Sequence, residues 1–152
     1  MKTEHKKILR ICSKIVFGAY IICLTYFLFF AESAGRTFES RNYQYNLILF
    51  KEIGRFIKYR ETLGMTVVLI NLVGNVAAFV PFGAIMPVIN RKFRSGFHMV
   101  FLSFEFSLTV ETIQFISKVG SFDVDDLLLN TIGGMIGYLC FYFIGRNVIP
   151  QK

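Results

Sequence analysis

Apolar residues gather into four long runs along the chain, at about 15–31, 63–89, 96–117 and 127–144. At ~1.5 Å of rise per residue, each run is long enough to cross most or all of a hydrocarbon core as a helix. Residues 63–89 carry no charge, but Pro81 interrupts them and cannot donate to the carbonyl of Ala77, which predicts a kink. Residues 96–117 contain Glu105 and Glu111, and residues 127–144 are clean. The pattern predicts an all-α integral membrane protein, a bundle of four transmembrane helices forming one unit over residues 1–152.

The long connection after the first run has a different rhythm. Between residues 45 and 59, Leu49, Ile53, Phe56 and Ile57 recur at helical spacing beside Lys51, Glu52, Arg55 and Lys58. Such a segment suits either a short helix lying in the membrane interface or an ordinary amphipathic helix resting on the bundle. The first run follows Lys2, Lys6, Lys7, Arg10 and Lys14. It resembles a signal peptide, with small Ala31 and Ser33 behind it, but its length favours a retained first helix.

Composition agrees with this reading. Of the 152 residues 54% are hydrophobic and 16% aromatic, and the mean hydropathy is +0.53. The net charge of +7 comes from basic clusters between apolar runs, without any nucleic-acid motif, so headgroups rather than nucleic acid explain it. With four crossings the basic N-terminus, the Arg91, Lys92 and Arg94 loop and the C-terminal tail fall on one side. The positive-inside rule makes that side cytoplasmic, with both termini inside. Arg36, Arg41, Lys51, Arg55, Lys58 and Arg60 then lie outside, accompanied by Glu32, Glu39, Glu52 and Glu61. Cys12, Cys23 and Cys140 have no metal-type spacing and read as packing residues.

Chemistry is expected where polar groups sit at membrane depth, because burying a charge there costs at least about 2.5 kcal/mol. Glu111 and Gln114 share a face of the third helix, Asp126 and Asn130 of the fourth, Asn71 and Asn75 of the second. If the three faces converge, they form a pocket toward the outer leaflet able to bind hydroxyl, amide or cationic groups. If they only bond one another, they fasten the helices together. Glu105, about 120° round from Glu111, would snorkel or pair with Arg94 or His98. Asp123, Asp125 and Asp126 would hold a divalent cation, cap the fourth helix with Asp123 as N-cap, or do both. No other cofactor is expected. Gly133 and Gly137 allow close approach of another helix, within the chain or in self-association. Asn71-Leu-Val-Gly74 echoes Asn130-Thr-Ile-Gly133, as a duplicated hairpin or chance would produce.

Three motifs in order carry a family resemblance: Asn71-Leu-Val-Gly-Asn75 followed by Phe79-Val-Pro81-Phe-Gly83, then Glu111-Thr-Ile-Gln114, then 120–134 with Asp123, Asp126, Asn130 and Gly133. Together they resemble the VanZ family over residues 71–140. Asn46-Leu-Ile-Leu-Phe50 is similar to an Asn-Leu-Ile-Pro-Phe element of that family, with Leu49 in place of the proline. The resemblance implies a small bacterial membrane protein whose namesake is associated with low-level resistance to teicoplanin and related lipoglycopeptides.

Two functions fit. One is an envelope protein that binds an outer-leaflet lipid, a lipid-linked cell-wall precursor or a lipoglycopeptide through Asn71, Asn75, Glu111, Gln114, Asp123, Asp126 and Asn130. The other is an intramembrane enzyme acting on a lipid-linked glycan or phosphate, with Glu111 or Asp126 as general base. No Ser-His-Asp set, metal-binding histidine pair or phosphate loop points to a specific reaction.

Overall fold

Four helices of the computed structural model are long and apolar enough to cross a membrane, and the chain is an all-α membrane bundle; residues 2–27 and 43–145 are described. Helix α1 (Lys2–Tyr26) begins well before the apolar run that announced it, because basic residues are good helix formers and the helix continues beyond the bilayer. Its spanning part is Lys7–Tyr26. The expected end of the first span at 28–31, the charged stretch at 32–41 and the tail at 146–152 lie outside the described residues.

A short loop carries β1 (Tyr45–Asn46), α2 (Lys51–Lys58) and α3 (Arg60–Leu63). Gly64 then turns the chain into α4 (Met65–Ile89) at φ 86, a left-handed conformation that suits glycine. Helix α4 runs unbroken through Pro81 and Pro87. A 3₁₀ turn (Arg91–Arg94), capped by the Asn90 side chain on the Lys92 N–H, leads into α5 (Gly96–Ser117). After β2 (Phe122–Asp123), α6 (Val124–Cys140) starts earlier than its apolar run, because Asp123 caps it. A π turn (Phe141–Gly145) prolongs α6, so the last span is Val124–Ile144.

Helices α4 and α6 share the largest interface, and glycine makes it. A Cβ added to Gly133 would stand 2.1 Å from the Val76 carbonyl oxygen, and one on Gly137 2.0 Å from that of Val80. Both partners advance together along the chain, so α4 and α6 run parallel. The contact is reciprocal at Gly83, whose added Cβ would lie 1.9 Å from the Gly134 oxygen. The Gly133 and Gly137 pattern is therefore occupied inside the chain by α4. Helix α5 runs antiparallel to α6, with Ser107 beside Asn130 and Ser103 beneath Gly134.

Helix α1 is peripheral, burying 6% of its spanning stretch against 33% for α5. Tyr20 donates to the Ala78 carbonyl at 2.8 Å, and Leu24 joins Phe79 and Val110 in the core. The Phe82 ring stacks on Phe106 at 4.6 Å and meets Phe17 at 6.1 Å.

Several expectations change here. Cys12, Cys23 and Cys140 are exposed on the bundle surface rather than packed in it, since a small apolar thiol faces acyl chains as readily as a core. Gly74 meets nothing within 4 Å while its counterpart Gly133 is jammed against α4, so the two echoing segments have unlike environments. Arg94 is engaged elsewhere: its Nε donates to the Pro87 carbonyl at 3.2 Å, and its guanidinium lies 6.0 Å from the Phe141 ring centre. Glu105 is exposed, and no ion pair joins it among the described residues.

Replacing Gly133 by alanine should lower stability by about 1–3 kcal/mol, because the new methyl meets backbone that cannot swing aside. Gly74→Ala should raise it by roughly 0.5–1 kcal/mol through helix propensity alone. Thermal unfolding in detergent compares the two, and equal shifts would refute the close-packed interface.

Candidate functional site

The polar residues expected at membrane depth meet at one end of the bundle, here called the aspartate end. Helix α5 stops at Lys118, which takes a left-handed φ of 56, and the Gln114 carbonyl accepts from Val119 and Gly120 at 3.1 and 3.3 Å. That turn throws the chain across the bundle top as β2. Two residues of β2 pair in parallel with β1, Tyr45 opposite Phe122 and Asn46 opposite Asp123. The loop after α1 and the turn before α6 are thereby stitched together.

Asp123 is the knot. Its Oδ1 accepts from the Asp125 N–H at 2.8 Å, capping α6, and from Asn46 Nδ2 at 3.0 Å. Its own N–H donates to Glu111 Oε2 at 3.0 Å, so the buried carboxylate of α5 supports the backbone of β2. Asn46 is held in turn by its Nδ2 on the Ile48 carbonyl and its Oδ1 on the Ile48 N–H. Burial raises the Asp123 carboxyl above the ordinary aspartate range, opposed by the bonds from Asp125 and Asn46 and by the charge of Arg55.

Asp125 performs a different task. It is 1% exposed and reaches across to the start of α2, where no local side chain caps the helix. Its oxygens accept the N–H groups of Phe50, Glu52 and Ile53, the last two at 2.8 and 3.1 Å. The carboxylate is an N-cap supplied from another helix, matched to the positive end of the α2 dipole.

Asp126 faces α4 and accepts from Asn75 Nδ2. Deeper down, Asn130 donates to Ser107 Oγ at 3.0 Å, and both are essentially without solvent contact. Thus Asn75, Glu111, Asp123, Asp126 and Asn130 do converge, as linked pairs rather than as walls of one cavity. Glu111 and Gln114 are 3% and 4% exposed. Asn71 stands apart: it is exposed, and its amide bonds the Val67 carbonyl of its own helix at 2.8 Å. The three aspartates point at three different partners. Among the described residues no group of three or more His, Cys, Asp or Glu side chains could hold a metal ion.

The opening lies one layer further out, above Asp123. A cavity of about 230 Å³ is lined there by Gln44, Tyr45, Asn46, Lys51, Glu52, Arg55, Ser121 and Asp123. Lys51 and Arg55 bring positive charge, Arg55 being paired with Glu52 one turn away on α2. Beside it Leu47, Ile48, Leu49 and Phe50 form a continuous apolar tongue, each about half exposed or more. None of Gln44, Lys51, Arg55 and Ser121 was a site candidate, because a parallel pairing of residues 77 apart leaves no local trace. Ser107 had one: residues 103, 107, 111 and 114 share a helix face.

A family model described as VanZ/LLP1 matches residues 17–145, a stretch that includes every residue of this network. The protein is also 29% identical to Protein VanZ of Enterococcus faecium over 147 residues, covering 94% of this chain and 81% of that one. No solved structure matches the chain.

Asp125→Ala should destabilise the protein by about 2 kcal/mol, since three part-buried backbone donors lose a charged acceptor. Amide exchange at Glu52 and Ile53 should accelerate well beyond that in α5; unchanged protection would contradict the remote cap. Ionised Asp123 is disfavoured by the fold, so stability should rise as pH falls through the range just above the ordinary aspartate value of ~3.9. Asp123→Asn, whose Oδ1 still accepts both donors, should flatten that rise in thermal midpoints taken from roughly pH 7 to 4. An undiminished slope in the variant would assign it to another group.

Proposed function

The chain belongs to the VanZ/LLP1 family, and on that premise we propose that it is a bacterial cell-envelope protein that lowers susceptibility to teicoplanin-type lipoglycopeptides by holding the headgroup of an amphiphilic, lipid-linked cell-wall molecule. The aspartate end then faces the outer leaflet of the cytoplasmic membrane and both termini lie in the cytoplasm. The basic cluster at the opposite end supports this orientation. There burial, with the charges of Arg91 and Arg10 nearby, lowers the proton affinity of Arg94.

The observation that carries the reading is the polar cavity beside an apolar tongue. Lys51 and Arg55 suit phosphate or carboxylate oxygens, while Gln44, Asn46 and Ser121 suit hydroxyl and amide groups. The tongue of Leu47, Ile48, Leu49 and Phe50 seats the same loop in the acyl boundary, where the tail of such a molecule resides. Glu111 positions Asp123 from below, while Asp126 with Asn75 and Asn130 with Ser107 fasten α6 to α4 and α5. The enzymatic alternative has less support, because Glu111 is 3% exposed and already accepts a backbone donor.

In a susceptible host, expression of the wild type should raise the minimal inhibitory concentration of teicoplanin several-fold. Lys51→Ala combined with Arg55→Ala should abolish the increase at unchanged membrane abundance. Full protection by that double variant would eliminate the cavity as the site, and no protection by the wild type would eliminate the resistance role.

A further inference from the structure

The cavity above Asp123 is lined by charge of both signs. Lys51 and Arg55 lie one turn apart on α2 with Glu52 between them, and Asp123 belongs to the wall contributed by β2. Two cations thus share the lining with two carboxylates, and their charges cancel when all four are ionised. The charges have not collapsed onto one another across the space. Arg55 is paired with Glu52, while no ion pair joins Asp123 to either cation among the described residues. Each wall is fixed by bonds of its own: Asp123 by Asn46 and the Asp125 N–H, and α2 by the Asp125 carboxylate on its first N–H groups.

Asp123 is also only half used. Both of its side-chain bonds go to Oδ1, and Oδ2 accepts nothing among the described residues. The residue is 6% exposed, and it lines the cavity. A carboxylate oxygen nearly out of water and short of a donor is costly, and burial is the first cause that raises this carboxyl above the ordinary aspartate range. A positively charged N–H donor against Oδ2 would supply both the missing bond and the missing charge. A hydroxyl would supply only the bond.

We propose that the headgroup held in this cavity is zwitterionic, with an anionic group seated on Lys51 and Arg55 and a primary ammonium a few atoms away donating to Asp123 Oδ2. This deepens the headgroup reading given above and rests on it. A purely anionic headgroup would meet Asp123 as a like charge, and a purely cationic one would meet Lys51. A quaternary ammonium has no N–H for Oδ2, and it is held by cages of several aromatic faces, whereas Tyr45 is the one aromatic side chain of the lining among the described residues. The apolar tongue beside the cavity makes the owner of the headgroup an amphiphile rather than a free solute.

Native mass spectrometry of the full chain in detergent, with dioctanoyl lipids added at equal concentration, tests the charge pair without any antibiotic phenotype. Phosphatidylethanolamine should occupy the wild type about ten-fold more than phosphatidylcholine, which has the same charges without the N–H groups, or phosphatidylglycerol, which has no ammonium. Asp123→Asn keeps an Oδ1 for both internal donors but turns an amide NH₂ toward the cavity, and should bring the three lipids within about two-fold of one another. The wild-type comparison stands whether or not that variant folds. Free phosphoethanolamine should displace the bound lipid only at roughly a hundred-fold excess, because it lacks the tail. Equal occupancy by phosphatidylethanolamine and phosphatidylcholine, strongest occupancy by phosphatidylglycerol, or a preference retained in Asp123→Asn would overturn the ammonium assignment while leaving a headgroup site in place. Displacement by equimolar phosphoethanolamine would overturn the amphiphile. Occupancy undiminished by Lys51→Ala with Arg55→Ala would overturn the cavity as the site, and the headgroup reading with it.

Discussion

A carboxylate taken out of water has to be met by donors, and the aspartate end is organised around that demand. Asp123, Asp125 and Glu111 are all nearly inaccessible, yet each accepts a backbone N–H from a different element. Glu111 holds β2, Asp123 holds α6 and the loop asparagine, and Asp125 holds α2. Loop, turn and two spanning helices are consequently one connected unit. The cavity sits on that unit, bordered by Asn46 and Asp123, which belong to both.

This arrangement changes the meaning of acidic residues in a membrane bundle. Their number suggests a reaction centre or a cation site. The geometry makes Glu111, Asp123 and Asp125 caps: each carboxylate accepts backbone donors of a chain segment that has no partner of its own for them. The cavity above them is lined by side chains of the first loop, α2 and the turn before α6, among them Gln44, Lys51, Arg55 and Ser121.

How much of this could be read from the chain alone depended on range. The spans were legible because a helix of roughly twenty apolar residues matches the thickness of a hydrocarbon core and would be costly to leave in water. Helix α2 was legible from its periodicity. Asp123 as N-cap was legible because the cap lies two residues from its donor. What was hidden was long-range: Asp125 grips amides more than seventy positions away, and β1 finds β2 77 positions along the chain. Asn71 misled for the opposite reason. It shares a helix with Asn75 at the right spacing, but hydropathy cannot tell the side of α4 that meets α6 from the side that meets lipid, and Asn71 bonds its own backbone.

The glycine contact between α4 and α6 has a mechanical consequence. With carbonyls of one helix lodged where the other lacks side chains, there is no lubricating layer through which they can slide, and rotation of either would drive a backbone into a backbone. The two helices behave as a single stiff beam running the depth of the bilayer. Any breathing at the headgroup level must then come from the parts hung on that beam, the tongue and α2, while the beam carries the footing of both, Asp125, unchanged.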